Sequence, residues 1–85
     1  MRKHYVTLYC LGDEPVEVTY IDRTDGKGIE VLFERAVDGG FDDFYIYLDG
    51  TIKSRIGYTD EEIAFFKKLI ESSKNTIMEE AAEVV

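Results

Sequence analysis

The chain has 85 residues, of which 18 are acidic and 10 basic, and its formal net charge at pH 7 is -8. A hydrophobic fraction of 45% indicates a folded domain rather than an acidic tail. The negative charge disfavours direct binding to nucleic acid or anionic lipid, because like charges repel along the approach path. The length predicts a single domain over residues 1–85, with a sheet over 4–57 and a helix over 59–82.

Cysteine content and hydropathy bear on the cellular compartment. Cys10 is the only cysteine, so no disulfide can form within the chain. This composition suits a reducing environment, and we expect a cytoplasmic protein. The first five residues lack the apolar stretch of a signal peptide, and no apolar run approaches the ~20 residues that cross a bilayer.

The first part of the chain alternates apolar and polar residues with a period of two, which predicts strands. These segments are 5–11, 16–22 and 29–37, and polar turn-forming residues separate them. In the third segment, Glu30 and Glu34 lie on the face opposite the apolar residues. In the first segment, one face would carry Val6, Leu8 and Cys10, and the other Tyr5, Thr7 and Tyr9.

Two further strands, 43–48 and 51–57, predict a final hairpin. A two-residue loop would place Ile46 beside Lys53, whereas a three-residue loop ending at a left-handed Gly50 sets Ile46 opposite Ile52. The longer loop gives one apolar face and one complementary polar face, so we prefer it. It also forms three other pairs: Phe44 with Ser54, Asp43 with Arg55, and Tyr45 with Lys53.

The segment after the hairpin predicts a helix. Thr59 and Glu62 have the spacing of a capping box, and the acids of this first turn suit the positive end of the helix dipole. An apolar stripe recurs at helical spacing: Ile63, Phe66, Ile70, Ser73 and Ile77. Residues 72–75 are weak helix formers, and the sequence leaves open whether the helix bends or ends there or continues to residue 82. The sequence thus predicts an α+β fold, a four- to five-stranded antiparallel meander with one C-terminal helix packed on one face.

Catalytic residues are not expected. The single histidine, His4, follows Arg2 and Lys3 and has no evident partner that would position it as a general base. Cys10 alternates with apolar residues, which indicates a small core side chain rather than a nucleophile. We therefore expect a protein that is not an enzyme and needs no cofactor.

A metal site is not expected either. Asp38, Asp42, Asp43 and Asp49 lie close along the chain and would be the natural ligands. Counted from Asp38, however, the EF-hand position that requires glycine is Asp43, and the closing glutamate position is Asp49. These aspartates are more typical of turns.

The acidic residues suggest a different role. Carboxylates fixed on a rigid scaffold can imitate the charge of a phosphate backbone and occupy a basic groove on a nucleic-acid-handling protein. Exposed tyrosines would add anchors. The predicted partner-binding residues are Glu30, Glu34, Asp38, Asp42, Asp43, Tyr45, Tyr47, Asp49, Tyr58, Asp60 and Glu61, and Glu17 and Glu62 belong to the same acidic set.

The element order resembles that of a group of phage proteins. A strand at 29–37, a loop at 38–39, a strand at 43–48 and a helix at 59–73 are similar in layout to the small acidic anti-CRISPR proteins that block CRISPR effector nucleases. The resemblance rests on size, charge and element order over about two-thirds of the chain, and includes no residue motif. It implies one α/β domain without cofactor or catalysis, bound to a basic nucleic-acid groove of the effector.

Our leading hypothesis is a non-enzymatic acidic binding protein that inhibits a basic partner such as a nucleic-acid-processing enzyme. The alternative is a small accessory or oligomerisation domain that forms a homodimer through its open sheet face, with charge serving solubility only. Its apolar interface would consist of Tyr5, Thr7, Tyr9 and Ile21. High salt would weaken the first kind of binding and spare the second.

Overall fold

The computed structural model describes residues 2–9, 12, 14–23 and 28–82. Its elements are β1 (Lys3–Leu8), β2 (Val16–Arg23), β3 (Gly28–Val37), β4 (Gly40–Tyr47), β5 (Ile52–Ile56) and α1 (Asp60–Ala82). The strands form one antiparallel sheet in the order β1-β2-β3-β4-β5. The predicted α+β fold, a meander with one C-terminal helix, is confirmed.

The core lies between one face of the sheet and α1. Strand alternation delivers one apolar set to this face: Val16, Val18, Tyr20, Val31, Phe33, Phe44 and Ile46. The predicted helical stripe, Ile63, Phe66, Ile70, Ser73 and Ile77, is buried against it. Phe66 is fully buried, and its ring stacks on Phe33 with centroids 4.2 Å apart. Aromatic stacking thus holds the helix to the centre of the sheet.

The helix begins with the expected capping box. The Glu62 amide donates to Thr59 Oγ1 at 3.2 Å, and the Thr59 amide donates to Glu62 Oε1 at 3.0 Å. The helix does not end at residues 72–75 but continues to Ala82, in agreement with the predicted range of 59–82. Ser72 bonds to the Leu69 carbonyl one turn earlier at 3.0 Å, and Ser73 is buried, so both hydroxyl residues fit within the helix.

The β4–β5 turn has the predicted three-residue form. Gly50 has a φ of +94°, the left-handed conformation that glycine adopts without steric cost. The Gly50 amide donates to the Tyr47 carbonyl, and the Tyr47 amide donates to the Thr51 carbonyl, both at 2.9 Å. Ile46 lies opposite Ile52, as expected.

Beyond that first pair, the predicted register of β5 is wrong. An irregularity between Tyr45 and Ile46 shifts the pairing, so that Tyr45 lies opposite Ser54. Phe44 then lies opposite Arg55, and Asp43 lies opposite Ile56. A bulge of this kind adds one unpaired residue to a strand. Lys53 therefore has no opposite residue in β4. Its side chain reaches over the sheet to Glu30 of β3.

A second bulge corrects the expected faces of β1. The pairing with β2 shifts between His4 and Val6. The Tyr5 ring consequently packs edge-on against Tyr20, with centroids 6.4 Å apart, on the side covered by the helix. Tyr5 therefore does not share a face with Thr7. Cys10 lies outside the described residues.

Candidate functional site: the open face of the sheet

The open face is the side of the sheet that α1 does not cover. The strand register arranges its side chains in rows that run across β2, β3 and β4. The row nearest the β3–β4 hairpin is Glu17, Glu34 and Asp43, which we call the acidic row. The central row contains Thr19, Leu32 and Tyr45, and the far row contains Ile21, Glu30 and Tyr47.

Three basic side chains converge on Glu30 in the far row, and we call Arg2, Arg23 and Lys53 the cationic cluster. Arg2 Nη1 lies 2.7 Å from Glu30 Oε1. Arg23 Nη1 and Lys53 Nζ lie 2.7 and 3.0 Å from Glu30 Oε2. Although Glu30 points away from the helix, these cations cover it, and it is only 3% exposed. A buried carboxylate is retained when several charged donors surround it.

Arg2 connects the cationic cluster to three strands. Its Nε donates to Thr19 Oγ1 at 2.9 Å, and its Nη2 donates to the carbonyls of Glu30 and Thr19 at 3.1 and 3.3 Å. Arg2 and Lys53 also lie over the Tyr45 ring, at 5.8 and 5.3 Å from its centroid. These distances are in the range of cation–π contacts. Tyr45 is thus partly covered by basic side chains.

The environment of Glu30 changes its acidity. Burial raises the pKa of Glu30, but the hydrogen bonds from Lys53, Arg2 and Arg23 lower it more, and the net result is a pKa of about 2. The carboxylate therefore remains ionised at any pH near neutrality. The three cations neutralise its negative charge, so Glu30 contributes little to an acidic surface.

The acidic row has the opposite character. Glu17 lies directly opposite Glu34, and Glu34 lies directly opposite Asp43. Within the described residues, no basic side chain forms an ion pair with any of the three. The Asp43 Oδ1 atom is buried and also lacks a hydrogen-bond partner there. Like charges in directly opposed positions destabilise a sheet, so this row carries an electrostatic cost.

Two exposed apolar side chains border the acidic row. Phe41 precedes Asp43 by two residues in β4 and therefore shares its face, and it is 58% exposed. Ile56 lies directly opposite Asp43 in β5 and is 60% exposed. The end of the open face near the β3–β4 hairpin thus combines unpaired carboxylates with accessible apolar surface.

A second ion network lies on the covered side of the sheet. Arg35 Nη2 donates to Asp42 Oδ2, and Arg35 Nη1 donates to Glu62 Oε2, both at 2.6 Å. The guanidinium carbon also lies 4.7 Å from the centroid of the Tyr58 ring. The Tyr58 hydroxyl donates to the Phe33 carbonyl at 3.2 Å, and burial raises the pKa of that phenol. This network ties the start of α1 to β3 and β4.

Gly57 connects β5 to the helix beside this network. Its φ is +90°, and a side chain there would collide with the Asp42 carboxylate. Only glycine satisfies both constraints without a local shift. The approach of the backbone to Asp42 shows how closely the network fills this corner of the molecule.

The structure unites only part of the predicted partner-binding set. Glu34 and Asp43 lie together in the acidic row, and Asp38 is exposed in the adjoining β3–β4 turn. The expected exposure of Glu30 and Asp42 is wrong, because each is buried and neutralised by basic side chains. Sequence patterns group both with the surface acids, because they do not show which cations will cover a carboxylate.

The predicted tyrosine anchors are also corrected. Tyr58 is 4% exposed and belongs to the core, and Tyr47 is 9% exposed. Tyr45 is half-buried beneath the cationic cluster. None of these three rings is fully exposed, so they do not form the exposed aromatic anchors that the sequence predicts.

The other predicted acids occupy separate positions. Asp60 forms a 2.9 Å ion pair with Arg55, and Glu61 is exposed in the first turn of α1. Asp49 lies in the turn at the opposite end of the sheet, where its Oδ1 accepts from the Thr51 amide at 2.8 Å. This bond lowers the pKa of Asp49. Asp49 is thus a turn residue remote from the acidic row.

Sequence reasoning did not predict that Arg2 contacts Glu30, or that Phe41 and Ile56 border the acidic row. Arg2 had no visible signal, because its contacts are with residues at least seventeen positions away. Phe41 falls between the predicted strands 29–37 and 43–48, although its alternation with Asp43 is typical of a strand. Ile56 lies opposite Asp43 because of the bulge in β5, which the alternation of residues does not indicate.

His4 Nε2 lies 2.9 Å from Thr7 Oγ1 in an exposed position. Across residues 2–9, 12, 14–23 and 28–82, no three metal-ligating side chains form a cluster. An open cleft of about 460 Å³ is lined by Glu14, Ala36, Val37 and Asp38. In the same ranges, no helix has both the length and the apolarity to cross a membrane.

No protein-family model, curated protein or solved structure matches this chain.

Proposed function

We propose that this protein is a non-enzymatic binding protein that inserts its acidic end into a basic, nucleic-acid-binding groove of a partner protein in the cytoplasm. The observation that carries the proposal is the acidic row, three carboxylates on adjacent strands that form no ion pair with any basic side chain in the described part of the chain. The groove of a CRISPR effector is one candidate, in line with the resemblance in size, charge and element order.

The distribution of basic residues supports this role. Arg2, Arg23 and Lys53 gather around Glu30, and Arg35 is bonded to Asp42 and Glu62. These cations lie at sites other than the acidic row. The row therefore retains its charge, and basic side chains of a partner would relieve the repulsion within it.

The geometry of the row suits a protein groove. Adjacent strands lie ~4.8 Å apart, so the three carboxylates form a short line of closely spaced negative charges. The low flexibility of a sheet keeps this line in place, which reduces the ordering cost of binding. Phe41 and Ile56 add apolar contact area at the same end, a feature that favours a protein partner.

The test is an affinity capture from a host lysate with a matched pair of triple variants. One variant carries E17Q, E34Q and D43N, and its control carries D22N, E71Q and E79Q, which neutralise exposed acids elsewhere. Both lose the same number of charges. We expect the wild-type protein and the control to retain the partner, and the acidic-row variant to lose it.

Competition then tests the groove. Duplex DNA or RNA added to the purified complex should displace the protein, because both occupy the same cationic site. Equal loss of partner with both triple variants would show that only net charge matters, which contradicts the proposal. Retention of the partner in excess nucleic acid would contradict mimicry.

A further inference from the structure

We infer that two copies of this chain pair through their open faces, with the acidic row of each copy against the cationic cluster of the other. The two regions lie on the same face, separated by the central row that contains Tyr45. Among the described residues, the carboxylates of the acidic row form no ion pair, whereas Arg2, Arg23 and Lys53 all contact Glu30. The face is therefore complementary to itself.

Symmetry selects one arrangement. Two identical faces in contact are related by a two-fold axis that lies in the plane between them. An axis parallel to the strands would place acidic row on acidic row. An axis across the strands, above the central row, reverses one copy end to end and places each acidic row on a cationic cluster. Only the second arrangement is electrostatically favourable.

This arrangement predicts specific contacts. With the axis across the strands, each strand faces its counterpart in the other copy. Glu17 of β2 then lies near Arg2 of the other copy, and Asp43 of β4 lies near Lys53 of the other copy. Ser54 lies on the central row, so it faces Ser54 of the other copy.

The size of the face limits the affinity. Four inter-strand spacings of ~4.8 Å and about seven residues of each strand give a contact of roughly 19 by 23 Å, or about 450 Å² per copy. The total of about 900 Å² is below the standard size of stable protein interfaces. The dimer is accordingly weak and forms only at high protein concentration.

The inference goes beyond the proposed function, because it concerns the protein alone. A second copy and a basic partner would cover the same acidic row and would compete for it. The dimer is measured without any partner, so its absence leaves the proposed function intact. Conversely, failure of the lysate capture leaves the dimer measurement unaffected.

The test is sedimentation velocity on the purified full chain from about 10 μM to about 1 mM, which brackets weak self-association. E17Q/D43N should raise the dimer dissociation constant about tenfold or more, because symmetry removes each contact twice. The matched control D22N/E71Q loses the same charge elsewhere and should dimerise at least as tightly as the wild-type protein.

A charge swap tests the pairing directly. D43K alone and K53E alone should each weaken the homodimer, whereas a mixture of the two should form a heterodimer. If circular dichroism shows that K53E is unfolded, S54C in a C10S background replaces it, and oxidation should cross-link two copies through Cys at the axis. The inference would be overturned by purely monomeric protein at about 1 mM, or by a dimer that E17Q/D43N does not weaken. It would also be overturned if the charge-swapped pair formed no heterodimer or, where S54C replaces K53E, if oxidation formed no cross-link.

Discussion

The two ends of the open face show two ways in which a sheet can carry carboxylates. At one end, Glu30 is buried under Arg2, Arg23 and Lys53 and contributes almost nothing to the surface charge. At the other end, Glu17, Glu34 and Asp43 lie side by side without a basic partner among the described residues. Glu30 and Glu34 lie on the same strand, β3, with only the central row between them.

The ion-paired Glu30 and the acidic row are expected to affect the stability of the fold in different ways. A carboxylate surrounded by cations contributes to the fold, whereas opposed carboxylates cost the fold free energy and are available to a ligand. Net charge alone does not distinguish the two cases. The same chemical substitution should therefore have opposite effects at the two ends.

The largest effect is expected from Glu30→Gln. The amide cannot neutralise three neighbouring cations, so the free energy of unfolding at pH 7 should fall by about 3 kcal/mol, the lower end of the range for broken buried ion pairs. Urea denaturation monitored by circular dichroism measures the change. A loss below about 1 kcal/mol would show that the cluster is solvated and not stabilising.

Acid should reveal the same contribution in the unmodified protein. The pKa of Glu30 is about 2 in the folded state against an ordinary 4.5, so its stabilisation is complete above pH 4.5 and is lost as pH falls towards 2. This shift corresponds to about 3 kcal/mol. Between pH 5 and 2, the wild-type protein should lose that much more unfolding free energy than Glu30→Gln. Parallel pH profiles of the two proteins would contradict the assignment.

Removing single cations should cost less and should rank them. Arg2→Met loses hydrogen bonds to Glu30, to Thr19 and to two carbonyl groups, which predicts a loss of about 1.5 kcal/mol. Lys53→Met loses one bond from a side chain that is 44% exposed, which predicts about 0.5 kcal/mol. Thermal and urea unfolding of both variants gives the order, and a larger effect at Lys53 would reverse the importance assigned to Arg2.

The smallest effect, with the opposite sign, is expected from Glu34→Gln. Glu34 is the middle member of the acidic row, so neutralising it removes two like-charge contacts and should stabilise the protein by about 0.5 kcal/mol. The gain should shrink at high salt, where screening already weakens the repulsion. Destabilisation at low salt would indicate that Glu34 has a favourable partner.

Local patterns were sufficient to predict much of the fold. Period-two alternation located the strands, the spacing of Ile63, Phe66 and Ile70 identified the buried side of the helix, and Thr59 with Glu62 marked its start. These signals depend on residues a few positions apart. The glycine at position 50 likewise fixed the form of the last turn.

The open face was less predictable because it depends on pairing between distant segments. The acidic row exists only because Glu17 is opposite Glu34 and Glu34 is opposite Asp43, and alternation within one strand does not give that register. Arg2 reaches Glu30 across β2, which no short-range pattern indicates. The bulge that directs Lys53 towards Glu30 also had no sequence signal.

The order of the strands has a consequence for folding speed. Every strand pairs with its neighbour in the chain, so each hairpin closes a short loop before the helix joins the sheet. Such local pairing lowers the entropic barrier, and small mixed α/β domains of this kind fold within milliseconds to fractions of a second. Stopped-flow refolding should therefore be dominated by one rapid exponential phase, and a newly made chain would reach its folded shape soon after synthesis.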